Sequence, residues 1–150
     1  MKPDVQTVMM RSFERILSDI APHLSSEYAV GSSSVIGLMM FQTATEFERA
    51  ADIRVQENAA MRAIFADAVG ALPAGDLRTR VDAAAASSDA SFKISELDKA
   101  NDGLSALLIE LQAYAETVEG SAARKLETQI WDELVRAATA RRLPHPVTDG

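Results

Sequence analysis

One stretch of the chain places charged side chains where an apolar helix face should be. It is residues 46–62, EFERAADIRVQENAAMR. A helix turns about 100° per residue, so Thr43, Phe47, Ala50, Met61, Phe65 and Ala68 share one face. Arg54 falls in the middle of that face, Glu57 at its edge, and Glu46 and Asn58 flank it. A charge taken out of water needs a partner, because an unpaired buried ion is very costly. Two accounts follow. In the first, Arg54, Glu57, Glu46 and Asn58 form a polar ligand-binding pocket inside a bundle. Arg54 grips a carboxylate or phosphate through its two-pronged guanidinium, oriented by Glu57 or Glu46. In the second and plainer account, Arg54 makes an internal ion pair with Glu57, Glu46, Asp98 or Asp102, or the helix projects into water. Structural ion pairs produce the same sequence pattern as ligand sites.

Other chemistry finds less support. The acids at Glu46 and Glu57, joined by one from the fourth helix, make a weaker case for Mg²⁺ or Mn²⁺ held by carboxylates alone. A di-iron bundle site would need Glu-x-x-His motifs on two helices. The two histidines, His23 and His145, do not follow a glutamate at that spacing. With no cysteine in the chain, disulfides, thiolate metal sites and thiol catalysis are excluded. Ser32, Ser33 and Ser34 lack a strand–turn–helix setting or a base to activate them. No phosphate-binding glycine motif occurs. The expectation is therefore no catalytic residue, no bound metal and no cofactor.

The elements that must position these residues are helices. Hydrophobic residues make up 47% of the 150 and charged residues 25%, which suits one folded domain. Apolar residues return every three or four positions, and no stretch alternates with period two. A first helix is expected from about Asp4 to Ile20, ended by Pro22. A long second one covers residues 27–69, with a kink near residues 31–34 or Gly37 and a stop at Gly70 and Pro73. A short third runs from Gly75 or Asp76 to about Ala86. Ser95 and Asp98 resemble a capping box opening a fourth, residues 96–118. Its stripe includes Leu97, Leu104, Leu107, Leu108 and Leu111. Ser121 opens a fifth, to about Arg142, with Leu126, Ile130, Leu134 and Ala138 as its stripe. Arg141 and Arg142 there complement the helix dipole.

Short connections make neighbours antiparallel. The expected fold is all-α: an antiparallel up-and-down helical bundle of four principal helices plus one short helix. Residues 1–142 form a single domain and residues 143–150 a flexible tail.

The formal net charge of −7 argues against nucleic acid and against anionic lipid as partners. No apolar run suits a signal peptide or a membrane span; the strongest, residues 35–41 (VIGLMMF), covers only about 10 Å of helix. A soluble, cytoplasmic protein is expected. That run is apolar around much of the helix circumference, so it requires burial on several sides. A homodimer through helix two follows as an expectation. The function expected first is a non-enzymatic bundle acting through protein contacts and self-association. Second comes small-ligand or divalent-metal binding around Arg54 and Glu57, and third an enzyme using the same residues.

Overall fold

The computed structural model describes residues 4–144, so His145 and the rest of the expected tail beyond Pro144 lie outside the described residues. Five α-helices occur among the described residues: α1 (Val5–Arg15), α2 (Glu27–Ala68), α3 (Asp76–Ala85), α4 (Ile94–Glu116) and α5 (Ser121–Arg141). No strand is present among them. The described residues gather into two compact units, residues 4–50 with 142–144, and residues 51–141; the boundary falls inside α2.

The N-terminal unit is built on a helical hairpin. Asp4 caps α1, its carboxylate accepting from the Thr7 amide at 3.1 Å and the Thr7 hydroxyl at 2.6 Å. These bonds satisfy a donor that the first turn leaves open, and they hold the Asp4 carboxyl below its ordinary pKa. The expected first helix extends to Ile20, but regular α-helix stops at Arg15. Residues Ile16–Ile20 widen into a π-turn and Ala21–His23 tighten into a 3-10 turn. Pro22 explains the change, since it lacks the N–H that would continue the α ladder. Phe13 and Ile16 face α2, while Val5, Val8, Leu17 and Ile20 stay exposed. The Phe13 and Phe41 rings stack at 5.4 Å between centroids with planes tilted by 52°. Gly37 lies beneath them: a Cβ there would sit 3.4 Å from both Ile16 and Phe13. A methyl group would therefore make ordinary contact there, and a larger side chain would press on the first helix.

The helix α2 continues through residues 31–34 and Gly37 without a break. No proline interrupts it, and the serine hydroxyls there fold back onto their own helix, Ser33 and Ser34 each donating to the Val30 carbonyl.

The second unit packs the C-terminal part of α2 with α3, α4 and α5. Its core joins Met61, Ile64 and Phe65 of α2, Val81 of α3, Leu104, Leu107, Leu108 and Leu111 of α4, and Leu126 and Ile130 of α5. Side-chain bonds fix the directions. Three pairs between α2 and α4, Arg54 with Asp98, Glu57 with Asn101 and Met61 with Ser105, are each separated by 44 residues, so these helices run parallel. Asp67 meets Gln129 while Glu57 meets Arg141, so α2 and α5 run antiparallel. Gly120, with φ of 135°, turns the chain sharply between α4 and α5. The all-α bundle is thus observed.

Two local expectations fail. The N-cap of α4 is Lys93 without a side-chain capping bond, and Ser95 already lies inside the helix. Asp98 is instead engaged by Arg54. On α5, Leu134 is 42% exposed and Ala138 is exposed, while Glu133 is buried. Steps of four residues drift about 40° each around a helix, so a row of 126, 130, 134 and 138 leaves the core side. Leu126, Ile130, Glu133 and Ala137 follow it better.

Candidate functional site

The polar residues of the second unit lie along the α2–α4 seam and its ends. Asn58 is fully buried and uses every polar atom. Its Nδ2 donates to Asp89 at 3.0 Å and to the Leu97 carbonyl at 3.4 Å, and its Oδ1 accepts from Asn101 at 3.0 Å. Such a residue survives in a core only because its partners replace water.

Glu57, the next position on α2, is 3% exposed. Arg141 clamps it from the last turn of α5, Nε to Oε1 at 2.8 Å and the terminal nitrogen to Oε2 at 2.6 Å. Asn101 adds a third bond to Oε2 at 3.2 Å. This two-pronged geometry is the strongest form of carboxylate ion pair. Glu133, also buried, is held the same way by Arg136, with both bonds at 2.6 Å. Arg62 donates to Ser87 at 3.0 Å and to Asp89 at 2.7 Å, tying down the segment that precedes α4. The Arg62 guanidinium beside Asp89, helped by Asn58, holds the Asp89 carboxyl below its ordinary value of 3.8 against the opposing effect of burial. Among the described residues, no buried side-chain nitrogen or oxygen lacks a partner.

Beside Glu57 lies an open cleft of about 460 Å³ between α2, α4 and α5. Met61, Leu108, Ile109, Leu134 and Ala137 give it apolar walls, and Glu57, Asn101, Ser105, Gln112, Glu133 and Arg141 supply polar groups. That volume and mixture suit a small molecule with an apolar body and one polar end. Among the described residues no group of three or more acidic or histidine side chains is arranged to hold a metal ion.

Of the four sequence-derived candidates, Glu57 and Asn58 come together around Asn101. Arg54 pairs with Asp98 and does not line the cleft. Glu46 belongs to the N-terminal unit. Sequence reasoning missed Asn101, Asp89, Arg62, Arg136, Glu133 and Arg141. Asn101 had a visible signal: it lies three residues after Asp98 and four before Ser105, a polar row beside the leucine stripe of α4. Arg141 had none, because a helix-terminal arginine is fully explained by the dipole.

The fold and this cluster together define an all-α bundle protein with a fully satisfied buried polar layer. Compared with known proteins, the chain matches no family model, no curated protein and no solved structure. No described helix is long and apolar enough to cross a membrane.

Proposed function

We propose that this chain is a non-enzymatic helical-bundle protein that acts through protein contacts and associates with itself through α2. The observation that carries this reading is the outer face of α2 in the N-terminal unit. Tyr28 is 85% exposed, Val35 58%, Ile36 50%, Met39 60% and Phe47 57%. The opposite side of the same helix already packs against α1. A helix apolar on both sides needs cover on both sides, and an exposed apolar face of this kind marks an interaction surface. Residues 28–45 carry no charge at all, in a chain where a quarter of the residues are charged. That is where two copies bearing −7 each repel least. The cysteine-free composition agrees with a reducing, cytoplasmic setting. The net acidity weighs against nucleic acid and anionic membranes.

Sedimentation velocity from about 1 to 100 μM, the range in which modest interfaces associate, tests the proposal. Self-association that Ile36→Glu abolishes, without loss of helicity, supports it. A strict monomer throughout that range refutes it.

A second reading, small-ligand binding, is favoured by the cleft beside the Glu57–Arg141 pair. A thermal-shift screen against metabolites and divalent metals tests it, comparing the native chain with the Arg141→Met, Glu57→Gln pair. A ligand that stabilises only the native chain supports this reading. Equal shifts in both count against it.

A further inference from the structure

The outer row of α2 runs through the same residue classes from either end. Its members are Tyr28, Ser32, Ile36, Met39, Thr43 and Phe47, separated by four, four, three, four and four residues. At about 100° per residue all six fall within a sector about 100° wide. Aromatic rings sit at both ends, small hydroxyl residues come next, and a long aliphatic pair sits in the middle. Mirror mates lie at equal distances from the boundary between Gly37 and Leu38. Thr43 donates its hydroxyl to the Met39 carbonyl of its own helix at 2.8 Å, so the bond it needs is already made.

We infer that the occupant of this face is a second copy of the chain, its α2 laid antiparallel across the first about a two-fold axis at the 37/38 boundary. The inference rests on the self-association proposed above and specifies its geometry. In a two-fold contact, residue i meets j and j meets i. A row whose residue classes mirror one another about its centre satisfies that condition along its whole length. Tyr28 then meets Phe47 of the second copy, Ser32 meets Thr43, and Ile36 meets Met39. A parallel pairing would set Tyr28 on Tyr28 and Phe47 on Phe47, and would make no use of the symmetry.

Charge and area both fit a second copy. The absence of charge from residue 28 to residue 45 means that no like charges oppose one another across the central contact. Nineteen residue steps span about 29 Å, and a helix face about 10 Å wide gives roughly 300 Å² of projected face per copy. With the relief of the side chains on both partners, the buried surface is on the order of 1,000 Å², at the lower limit for a specific interface. The expected pair is therefore a reversible dimer.

The cysteine-free chain makes the test direct. Tyr28→Cys and Phe47→Cys chains, one carrying a mass tag, are mixed and oxidised under conditions where the native chain sediments as a dimer. The antiparallel register places positions 28 and 47 of different copies side by side and holds like positions about 29 Å apart. The mixed disulfide should exceed either like-with-like disulfide by at least about tenfold. A dimer that cross-links 28 to 28 and 47 to 47 overturns the register while leaving self-association standing. So does a dimer that yields no excess of any pair. A native chain that stays monomeric overturns both.

Discussion

The Glu57–Arg141 pair is asymmetric, and its two halves should not be equally expensive to remove. The Glu57 side chain is 5% exposed, while that of Arg141 is 47% exposed. Arg141→Met leaves a carboxylate in the interior, hydrogen-bonded to Asn101. Breaking a fully buried pair in this way costs about 3–5 kcal/mol. Because water reaches the arginine end, and so part of the site, about 2 kcal/mol is expected here. Glu57→Gln leaves a cation that already lies half in water, and should cost about 1 kcal/mol, the worth of an ordinary hydrogen bond. The double variant Arg141→Met, Glu57→Gln leaves no ion behind and should recover most of the loss. At about 2–4 °C per kcal/mol for a chain of this size, the midpoints fall by about 4–8 °C for Arg141→Met and about 2–4 °C for Glu57→Gln. The assay is urea and thermal unfolding followed by circular dichroism at one fixed protein concentration. If Glu57→Gln costs as much as Arg141→Met or more, or if the double variant is worse than either, the buried-carboxylate argument is wrong.

Three further outcomes follow from the same geometry. Gly37→Ala should be neutral or stabilising by up to about 1 kcal/mol, since its Cβ would meet Ile16 and Phe13 at an ordinary 3.4 Å and alanine favours helix over glycine; Gly37→Leu should instead destabilise by about 1–3 kcal/mol through overpacking, and equal thermal midpoints for the two would contradict the close approach. Asp89 has its folded pKa lowered by Arg62, so its stabilisation is fully present above the unfolded value of about 3.9 and disappears as pH falls through the lower folded value. The stability gap between the native chain and Asp89→Asn should therefore be constant above about pH 5 and close below about pH 4; a gap that widens in acid reverses the sign and refutes the assignment. Replacing Asn58 and Asn101 together by leucine should keep urea stability within about 1.5 kcal/mol, yet raise ANS fluorescence and narrow the amide chemical-shift dispersion; unchanged spectra would show that the polar layer does not specify the packing.

The helical architecture was legible in the sequence because apolar periodicity depends on local geometry alone. The α4 stripe and the stop at Gly120 required no knowledge of the partner helices. The cost of burying Arg54 also pointed to an acid, and Asp98 was among those anticipated. What periodicity does not carry is which acid meets which base across the bundle. That depends on the axial offset between helices, which no single helix encodes. Hence Arg141, read as a dipole complement, proved to be the clamp on Glu57. The same blindness displaced the α5 stripe. Leu134 looks more like a core residue than Glu133 by type, but rotation about the helix, set by Leu126 and Ile130, turns Glu133 inward. There Arg136, three residues later, neutralises it.

The constant separation of 44 residues explains why a polar layer persists where leucines would pack. Apolar stripes alone, Met61, Ile64 and Phe65 of α2 against the leucines of α4, fit one another about equally well after a slide of one turn, about 5.4 Å. Hydrogen-bonded pairs do not. The same slide would part Arg54 from Asp98 and Glu57 from Asn101 together, and would leave Asn58 buried with its amide unpaired. Each orphaned group costs about 1–3 kcal/mol, so the three acting together discriminate against the shifted register far more strongly than apolar contacts can. On this argument the layer is a register key, comparable to the single buried polar residue that fixes alignment in a coiled coil. It also accounts for the complete mutual satisfaction of its members: a group that must pair within the fold to hold the register has little capacity left for a ligand. The uncharged stretch of α2, residues 28–45, is instead the surface proposed above for contact with another chain.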